Sequence, residues 1–368
     1  MLDLKKFKFS SQSSPVVKNA NGIIHYGDKN DFYIYLIDLY LNSSKHNAIL
    51  NGKLQMIDGI VEGVDNYFIE FRRKCIKDFL IFGGFAIKIV KDLNNNIQSF
   101  SHIPFQNIRK LDDGENVAIS GNWVRKNGVF KYSRNNAVEF IELPIYKKDE
   151  IQPVSVFLFE RLDYSDIYPI PDYIGGLQYI EMDYRVANFW NNTISKGFAA
   201  SHIINIYSAG LTEEEKDIID AQIQEMFSGD DNAGSYILNF VRKEGEGTDI
   251  QTIQQPNLDN LYKLLNDAIT QEVFISHRVT SPMLFGVRTE GQLGGRNELL
   301  EAQNLFYSIY VKPTRNNIDR NIKSILGINY NVRDEYLVSQ DIIDDIREAL
   351  GYPPLGTNSK KEEENENI

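Results

Sequence analysis

The sequence is poor in the residues that build disulfide scaffolds and metal centres. Its 368 residues include one cysteine, Cys75, and five histidines. A single cysteine cannot form a disulfide within the chain. It lies in a helix-like segment, FRRKCIKDFLIF, so we expect a small buried residue in a reducing compartment. The histidines are scattered, and none stands at metal-ligand spacing from another histidine or from the cysteine. We therefore predict no metal site and no cofactor.

Long apolar runs are also absent. The N-terminal residues have no apolar core of the kind that a signal peptide needs, and no stretch approaches the ~20 apolar residues of a membrane-spanning helix. Hydrophobic residues make up 42% of the chain and charged residues 24%, which is ordinary for an ordered globular protein. We expect a soluble protein made inside the cell, with no membrane partner.

Positive charge is scarce relative to negative charge. The chain has 39 Lys and Arg residues against 51 Asp and Glu residues, a net charge of −12. Tight sequence-independent binding to duplex DNA needs clustered cations that displace counterions, and the composition argues against it. A protein that lets DNA pass without holding it stays compatible with this charge.

The motifs of common enzyme sites are missing too. The chain has neither the phosphate-binding pattern G-x-x-x-x-G-K-[ST] nor the nucleophile pattern G-x-S-x-G. Its glycine-rich stretch, GQLGGR, follows a helix and has the wrong spacing for a dinucleotide fingerprint. Carboxylate pairs such as Asp112-Asp113 fall in turns or on polar helix faces. We predict that the protein is not an enzyme; an enzyme with widely dispersed catalytic residues is the alternative.

What the sequence does contain is an order of helices and strands that predicts the α+β class. Residues 1–30 are polar and indicate a loosely ordered arm. Two short helices and a longer one follow, and the longer one stops at Gly83-Gly84 and turns into an alternating strand, FAIKIV. Residues 97–160 contain short β-prone runs separated by turn residues. The segment YPIP, at 168–171, predicts a stiff connector.

The second half of the chain predicts two long helices around a small insert. The first helix is GLQYIEMDYRVANFWNNTISKG, and the second is LDNLYKLLNDAITQEVFISHRV. Between them lie a strand, a helix opened by a capping box from Thr212 to Glu215, and another strand. A glycine-rich loop then leads into a helix that runs to about Leu326, in which Pro313 predicts a kink. The tail, TNSKKEEENENI, has the composition of a disordered segment.

In this order, the segments resemble the portal proteins of tailed bacteriophages, which form rings at one capsid vertex through which genome DNA enters and leaves. The most specific piece is ISHRVTSPMLFGVRTEGQLGGRNELLEAQNLFYSIYVKPTRNNI, where a helix ends in a Ser-Pro turn and Phe-Gly, and a loop and a long Pro-kinked helix follow. Weaker matches are SSKHNAILNGKLQMIDG, FLIFGGFAIKIV, SHIPFQNIRKLDD and SQDIIDDIREALGYPPL. Together they span roughly residues 31–355.

The resemblance implies a portal-type fold and assigns a part to each segment. In chain order the implied parts are an N-terminal arm (1–30), an α+β wing (31–170), a stem helix (171–197), the clip (198–255), a second stem helix (256–287), the tunnel loop (288–296), a long wing helix (297–334), a short crown (335–356) and a disordered tail (357–368). The short crown departs from the family's pattern, which leaves its role open.

The resemblance also implies partners and a location. Portal subunits form a ring of about twelve around a channel for double-stranded DNA, which passes during packaging and ejection. The terminase large subunit, and later a head–tail adaptor, would dock on the clip, and the major capsid and scaffolding proteins would surround the ring. The expected location is the capsid portal vertex of the virion, after assembly in the host cytoplasm. Another ring-forming head–tail adaptor is the alternative within this class.

The candidate site is the tunnel loop, which projects toward DNA in the family. It comprises Arg288, Thr289, Glu290, Gly291, Gln292, Leu293, Gly294, Gly295 and Arg296. The three glycines would make the loop mobile and let its backbone approach a duplex closely. Arg288 is a candidate for a phosphate contact or for a salt bridge to an acidic neighbour. Arg296 is expected to begin a helix and to contact the next subunit.

Several aromatic side chains lie on the predicted helices. We expect them to pack between helices or between subunits, because a duplex does not offer its base faces for stacking. They are Phe189, Trp190, Phe274, Phe306 and Tyr310.

Overall fold

The computed structural model of the chain divides into two compact units. The first consists of Met1–Ile37, Ala48–Asp172 and Thr280–Ile368, and the second of Asp38–Asn47 and Tyr173–Val279. The described residues are 17–20, 22–27, 30–121, 123, 140–148, 150–161, 167–195, 202–207, 212–227, 236–241, 247–252, 258–287 and 296–334. The predicted crown and tail, and the loop up to residue 295, lie outside them.

The first unit begins with a hairpin where the sequence predicted a loosely ordered arm. Strands β1 (Val17–Ala20) and β2 (Ile23–Tyr26) pair antiparallel, so the prediction is wrong for this part of residues 1–30. Tyr26 is fully buried. Its hydroxyl donates a hydrogen bond of 2.8 Å to the carbonyl of Pro169, 143 residues further along the chain. Because the contacts that hold the hairpin are this distant, the local sequence gives no sign of them.

Three helices follow, as predicted: α1 (Phe32–Asn42), α2 (Ser44–Asp58) and α3 (Asn66–Phe82). Helix α3 begins at an Asp65 cap, whose side chain accepts the N–H of Phe68 at 2.9 Å. It ends at Gly83, which has the left-handed φ of 81° that glycine adopts without strain. The prediction that Cys75 is buried is confirmed, and burial raises the pKa of its thiol.

The β-rich region contains two three-stranded antiparallel sheets. Its six described strands are β4 (Gly84–Lys91), β5 (Ile97–Ile103), β6 (Ile108–Lys110), β7 (Asn116–Ile119), β8 (Ile141–Pro144) and β9 (Val154–Glu160). A separate strand, β3 (Ile60–Glu62), lies between α2 and α3. The first sheet has the order β5-β4-β9 and the second β6-β7-β8. The predicted connector at 168–171 is buried, and Tyr168 accepts a hydrogen bond of 2.8 Å from the N–H of Lys110 in β6. The connector is therefore held against the second sheet.

The second unit has two long helices around a small α+β insert, as predicted. The insert has a third strand at 247–252, where the sequence predicted only a turn after the second strand. The elements of the unit are α4 (Leu177–Ser195), β10 (His202–Tyr207), α5 (Glu213–Phe227), β11 (Tyr236–Val241), β12 (Gly247–Thr252) and α6 (Leu258–Ser276). Strand β10 pairs parallel with β11 and antiparallel with β12. The capping box is confirmed, since Thr212 and Glu215 each accept the other's backbone N–H, at 3.3 and 2.8 Å.

Helices α4 and α6 pack against each other in opposite directions. Next to the start of α4, a Cβ atom built on Gly176 would lie 2.3 Å from the Ser276 side chain, where α6 ends. Near the other end, the Trp190 ring contacts the ring of Tyr262 at 4.9 Å between centroids. Among the described residues, no helix combines the length and the apolar character needed to cross a bilayer.

The chain returns to the first unit with an interrupted helix. Helix α7 (Arg296–Phe306) passes through a π-helical turn at Tyr307–Val311 into α8 (Lys312–Leu326). The N–H of Lys312 donates to the carbonyl of Tyr307, five residues back. Pro313, the next residue, has no N–H to donate and its ring crowds the preceding turn, so the irregularity lies directly before it. Strand β13 (Asn331–Arg333) then pairs antiparallel with β3.

Candidate functional site

The candidate loop is anchored on its N-terminal side by a short turn. Ser281 leads into a 3-10 turn, Pro282–Phe285, and Gly286 closes it with a left-handed φ of 80°. The Phe285 ring lies directly against α2, where a Cβ atom on Gly52 would be 2.7 Å from it. Glycine at position 52 is therefore what allows the ring to approach. The Ser-Pro and Phe-Gly features that the sequence singled out thus form a fixed anchor.

The C-terminal side of the loop is joined to the same anchor. The Thr280 hydroxyl donates a hydrogen bond of 2.8 Å to the carbonyl of Ala302 in α7. The Phe285 ring meets the Phe306 ring edge-on at 5.8 Å, and Phe306 stacks on Tyr310 at 5.3 Å. Residues from both sides of the loop therefore form one packed base.

The loop residues themselves are placed only in part. Arg296 is the first residue of α7, so its predicted place at a helix start is confirmed. Residues 288–295, which include Arg288, Glu290 and the three glycines, lie outside the described residues. Their approach to DNA stays a prediction.

A buried cation beneath the loop base was not singled out from the sequence. Lys53, in α2, is fully buried. Its ammonium lies 4.0 Å from the centroid of the Tyr310 ring and 3.7 Å from a carboxylate oxygen of Asp172. A buried ammonium is stable only with such partners. Lys53 is therefore a structural part of the base.

In the second unit, polar side chains at the start of α2 and just before it contact α4 and α6. The Lys45 ammonium bonds to Asp183 of α4 and donates to the amide oxygen of Asn266 of α6, the latter at 3.0 Å. The Ser43 hydroxyl donates to the same Asp183 carboxylate at 2.8 Å. One lysine therefore bridges the two long helices.

The structure also brings together two of the scattered histidines. The Nδ1 atom of His46 lies 2.8 Å from the Nε2 atom of His277, and both side chains are fully buried. A hydrogen bond between two rings needs a neutral acceptor ring. The two residues are 231 positions apart, so sequence spacing could not indicate the contact. Within the described part of the chain, no three His, Cys, Asp or Glu side chains group so as to hold a metal ion.

The turn carboxylates and helix aromatics that the sequence singled out have contacts that indicate structural roles. The Asp113 carboxylate accepts a hydrogen bond of 2.8 Å from the Asn116 side-chain amide, and it accepts the N–H groups of Glu115 and Asn116 at 2.8 and 2.9 Å. These bonds lower the pKa of the carboxyl and fit its predicted place in a turn. Of the five aromatic residues predicted to pack between helices or subunits, three are buried and Trp190 is half-buried. Phe189 is 48% exposed. The buried ones are Phe274, Phe306 and Tyr310.

Comparison with known proteins finds a relative that covers most of the chain. The chain is 21% identical over 295 residues to a probable portal protein of Haemophilus phage HP1 (strain HP1c1), covering 78% of this chain and 80% of that protein. No family model matches the sequence.

Two solved structures share the fold over nearly the whole chain. One is a chain from the neck of an empty gene transfer agent particle, computed with C6 symmetry; its TM-score is 0.55 at 12% identity, over 93% of this chain and 96% of that chain. The other is from the neck of a native particle, computed with C12 symmetry; its TM-score is 0.52 at 13% identity, over 87% and 94%. The resemblance to phage portal proteins that the sequence predicted is therefore confirmed, and the chain has the portal-type α+β fold.

Proposed function

We propose that the protein is a portal subunit, which assembles as a ring at one capsid vertex and forms the channel for double-stranded DNA during packaging and ejection. The observation that carries the proposal is the order of parts in one chain: a long helix, an α+β insert, an antiparallel long helix, a loop on a packed base and an interrupted helix. An adaptor without paired long helices would not explain this order.

The parts then have distinct roles. Helices α4 and α6 are the stem, and the insert from β10 to β12 is the clip, which docks the terminase large subunit and later the head–tail adaptor. The first unit is the wing, in contact with the major capsid and scaffolding proteins. A head-to-tail contact that closes on itself gives a cyclic assembly, and the resemblance to portal proteins puts the number of copies at about twelve. Its place is the virion, after assembly in the host cytoplasm.

The charge of the chain suits a passage for DNA. With a net charge of −12 per copy, a ring would carry an excess of negative charge, which repels phosphates and disfavours tight adhesion of a duplex. The force for movement comes from a separate motor, so the chain needs no catalytic site of its own. Nuclease and ATPase assays with Mg²⁺ test this part of the proposal, and we expect no activity.

The size of the purified protein tests the proposed assembly. Mass photometry should show one dominant species of about twelve subunit masses. The subunit mass is 42.3 kDa. A monomer that persists at all concentrations would contradict the proposal.

Deletion of residues 289–295 tests the role of the loop separately. The residues on both sides of the loop pack against each other, and this packing does not depend on the loop. We therefore expect rings of unchanged mass but impaired packaging or retention of DNA. Replacing the same residues by a glycine-serine segment of equal length is the matched control for backbone connection. If the deletion prevents assembly, the loop is an interface element and its role in the channel is wrong.

A further inference from the structure

An open groove lies along α8 in the first unit. It encloses about 820 Å³ between one side of the helix and β13. Part of its helical lining is a row of residues four apart, with Lys323 beside it, and Arg315 and Asp319 also line it; the row is Lys312, Asn316, Arg320 and Ser324. Side chains at this spacing lie on one helix face. The groove is therefore a surface with a continuous polar row.

Three cations of this lining have no carboxylate partner among the described residues. Arg320 donates to the amide oxygen of Asn317 at 3.0 Å, and Lys323 lies 4.6 Å from the Tyr330 ring centroid. Lys312 is exposed. None of the three appears in an ion pair of the described chain.

The other charged groups of the lining each have a partner of opposite charge. Arg315 forms a salt bridge with Asp334, and Asp319 accepts a hydrogen bond of 2.7 Å from the buried Arg72. The positive charge of the groove is therefore that of Lys312, Arg320 and Lys323. Between them stand the neutral side chains of Asn316, Ser324 and Asn331.

We propose that this groove binds the phosphodiester backbone of duplex DNA. Lysine, arginine, serine and asparagine are the side chains that contact phosphate oxygens, without reading base sequence. Lys312 and Arg320 are eight residues apart, or about 12 Å along the helix axis. DNA carries a charge about every 1.7 Å of its axis, so a duplex lying along α8 would offer phosphates within the span of the three cations. The overall negative charge keeps the contact weak, reversible and dependent on salt.

The inference rests on the proposed function for the source of the DNA, but it is tested separately. Binding of a fluorescent duplex to the full chain is measured by anisotropy over a range of NaCl concentrations. Each phosphate neutralised contributes about −0.9 to the slope of log binding constant against log salt. The variant K312Q/R320Q/K323Q should therefore lose about 2.7 of that slope, or about 40-fold of salt dependence between about 50 and about 200 mM NaCl. Two duplexes of different sequence should give the same result.

A matched variant removes the same charge elsewhere in the first unit. K74Q/K88Q/K148Q should keep the slope of the unmodified protein, and thermal unfolding and mass photometry should show that both variants are folded and assembled alike. An unchanged slope in the groove variant overturns the proposal. Tighter binding of polyglutamate than of DNA also overturns the proposal, because the partner of the groove would then be an acidic protein surface. If the protein binds DNA through the groove but forms no rings, the proposed function is contradicted and the proposal for the groove stands.

Discussion

Replacing Arg72 by alanine should lower the free energy of unfolding by about 3–5 kcal/mol, the range for removing one partner of a buried ion pair. The Arg72 side chain is fully buried in α3. Its Nε atom donates to Asp319 at 2.7 Å, and its Nη1 atom donates to the carboxylate of Asp58 at 2.9 Å. The Tyr330 hydroxyl also donates to Asp319, at 2.8 Å. Without the guanidinium, the nearly buried carboxylates of Asp58 and Asp319 stay negatively charged but lose the positive charge that balances them.

Arg73 provides the matched control for this substitution. It is the next residue along α3 and reaches the same Asp58 at 3.5 Å, but its side chain is 48% exposed. Exposed ion pairs contribute about 0–1 kcal/mol, so Arg73→Ala should have little effect. Urea denaturation at one fixed protein concentration measures both variants. Equal losses would contradict the assignment of Arg72 as the centre of the network.

A second variant separates charge from packing. Arg72→Met combined with Asp58→Asn and Asp319→Asn removes all three charges, so no uncompensated charge is left buried. We expect it to recover most of the stability lost in Arg72→Ala. A triple variant as unstable as the single one would mean that shape, and not charge compensation, is what Arg72 supplies.

The loss in Arg72→Ala should also depend on pH. Burial already raises the pKa of Asp58 above its ordinary value, and removing its cationic partner raises it further. An acid whose pKa is raised in the folded state binds its proton more tightly there than in the unfolded state. Its charge therefore destabilises the folded state above the raised pKa, and this cost disappears below the ordinary pKa of the unfolded chain. The stability deficit should be complete at neutral pH and shrink on acidification through the raised pKa. A deficit that is constant with pH would contradict this explanation.

Gly83→Ala should lower the free energy of unfolding by about 2–5 kcal/mol, from two separate causes. A left-handed backbone costs a residue with a Cβ atom about 1–2 kcal/mol. A Cβ atom here would also lie 2.5 Å from the carbonyl oxygen of Ile170, in the buried connector, and overpacking of this kind costs about 1–3 kcal/mol more. The same glycine accepts the N–H of Arg161 at 2.9 Å. A shift of the connector would therefore disturb the sheet that follows α3.

Gly327→Ala isolates the backbone part of that cost. Gly327 ends α8 with a φ of 67°, and its N–H donates to Lys323 just as that of Gly83 donates to Phe79. A Cβ atom at Gly327 would have no atom within 4 Å. We expect only the strain of about 1–2 kcal/mol, measured by the same denaturation. Equal losses at the two glycines would mean that the contact with Ile170 relaxes at no cost.

Local patterns predicted the elements whose signals are contained within a few residues. The Gly83 stop of α3 and the Thr212–Glu215 capping box are examples, because each rests on neighbouring backbone groups. The order of elements, read together, also indicated the portal-type fold. In the candidate site, the Ser-Pro turn and the start of α7 at Arg296 were predictable for the same reason.

Contacts between distant segments were not predictable. The hairpin at β1 and β2 depends on Pro169, and the Arg72 network depends on Asp319, 247 residues away. The His46–His277 contact also leaves no trace in either local sequence. The stem and tunnel-loop assignments still rest on the resemblance, since no contact in a single chain says which side chains face a channel.

The central claim is that the chain assembles into a ring with an open axis, and electron microscopy of the purified protein tests it most directly. Class averages viewed along the axis should show about twelve repeated subunits around a hole. The hole must be wide enough for a duplex. A closed particle without an axial hole, or single subunits at every concentration, would contradict the account.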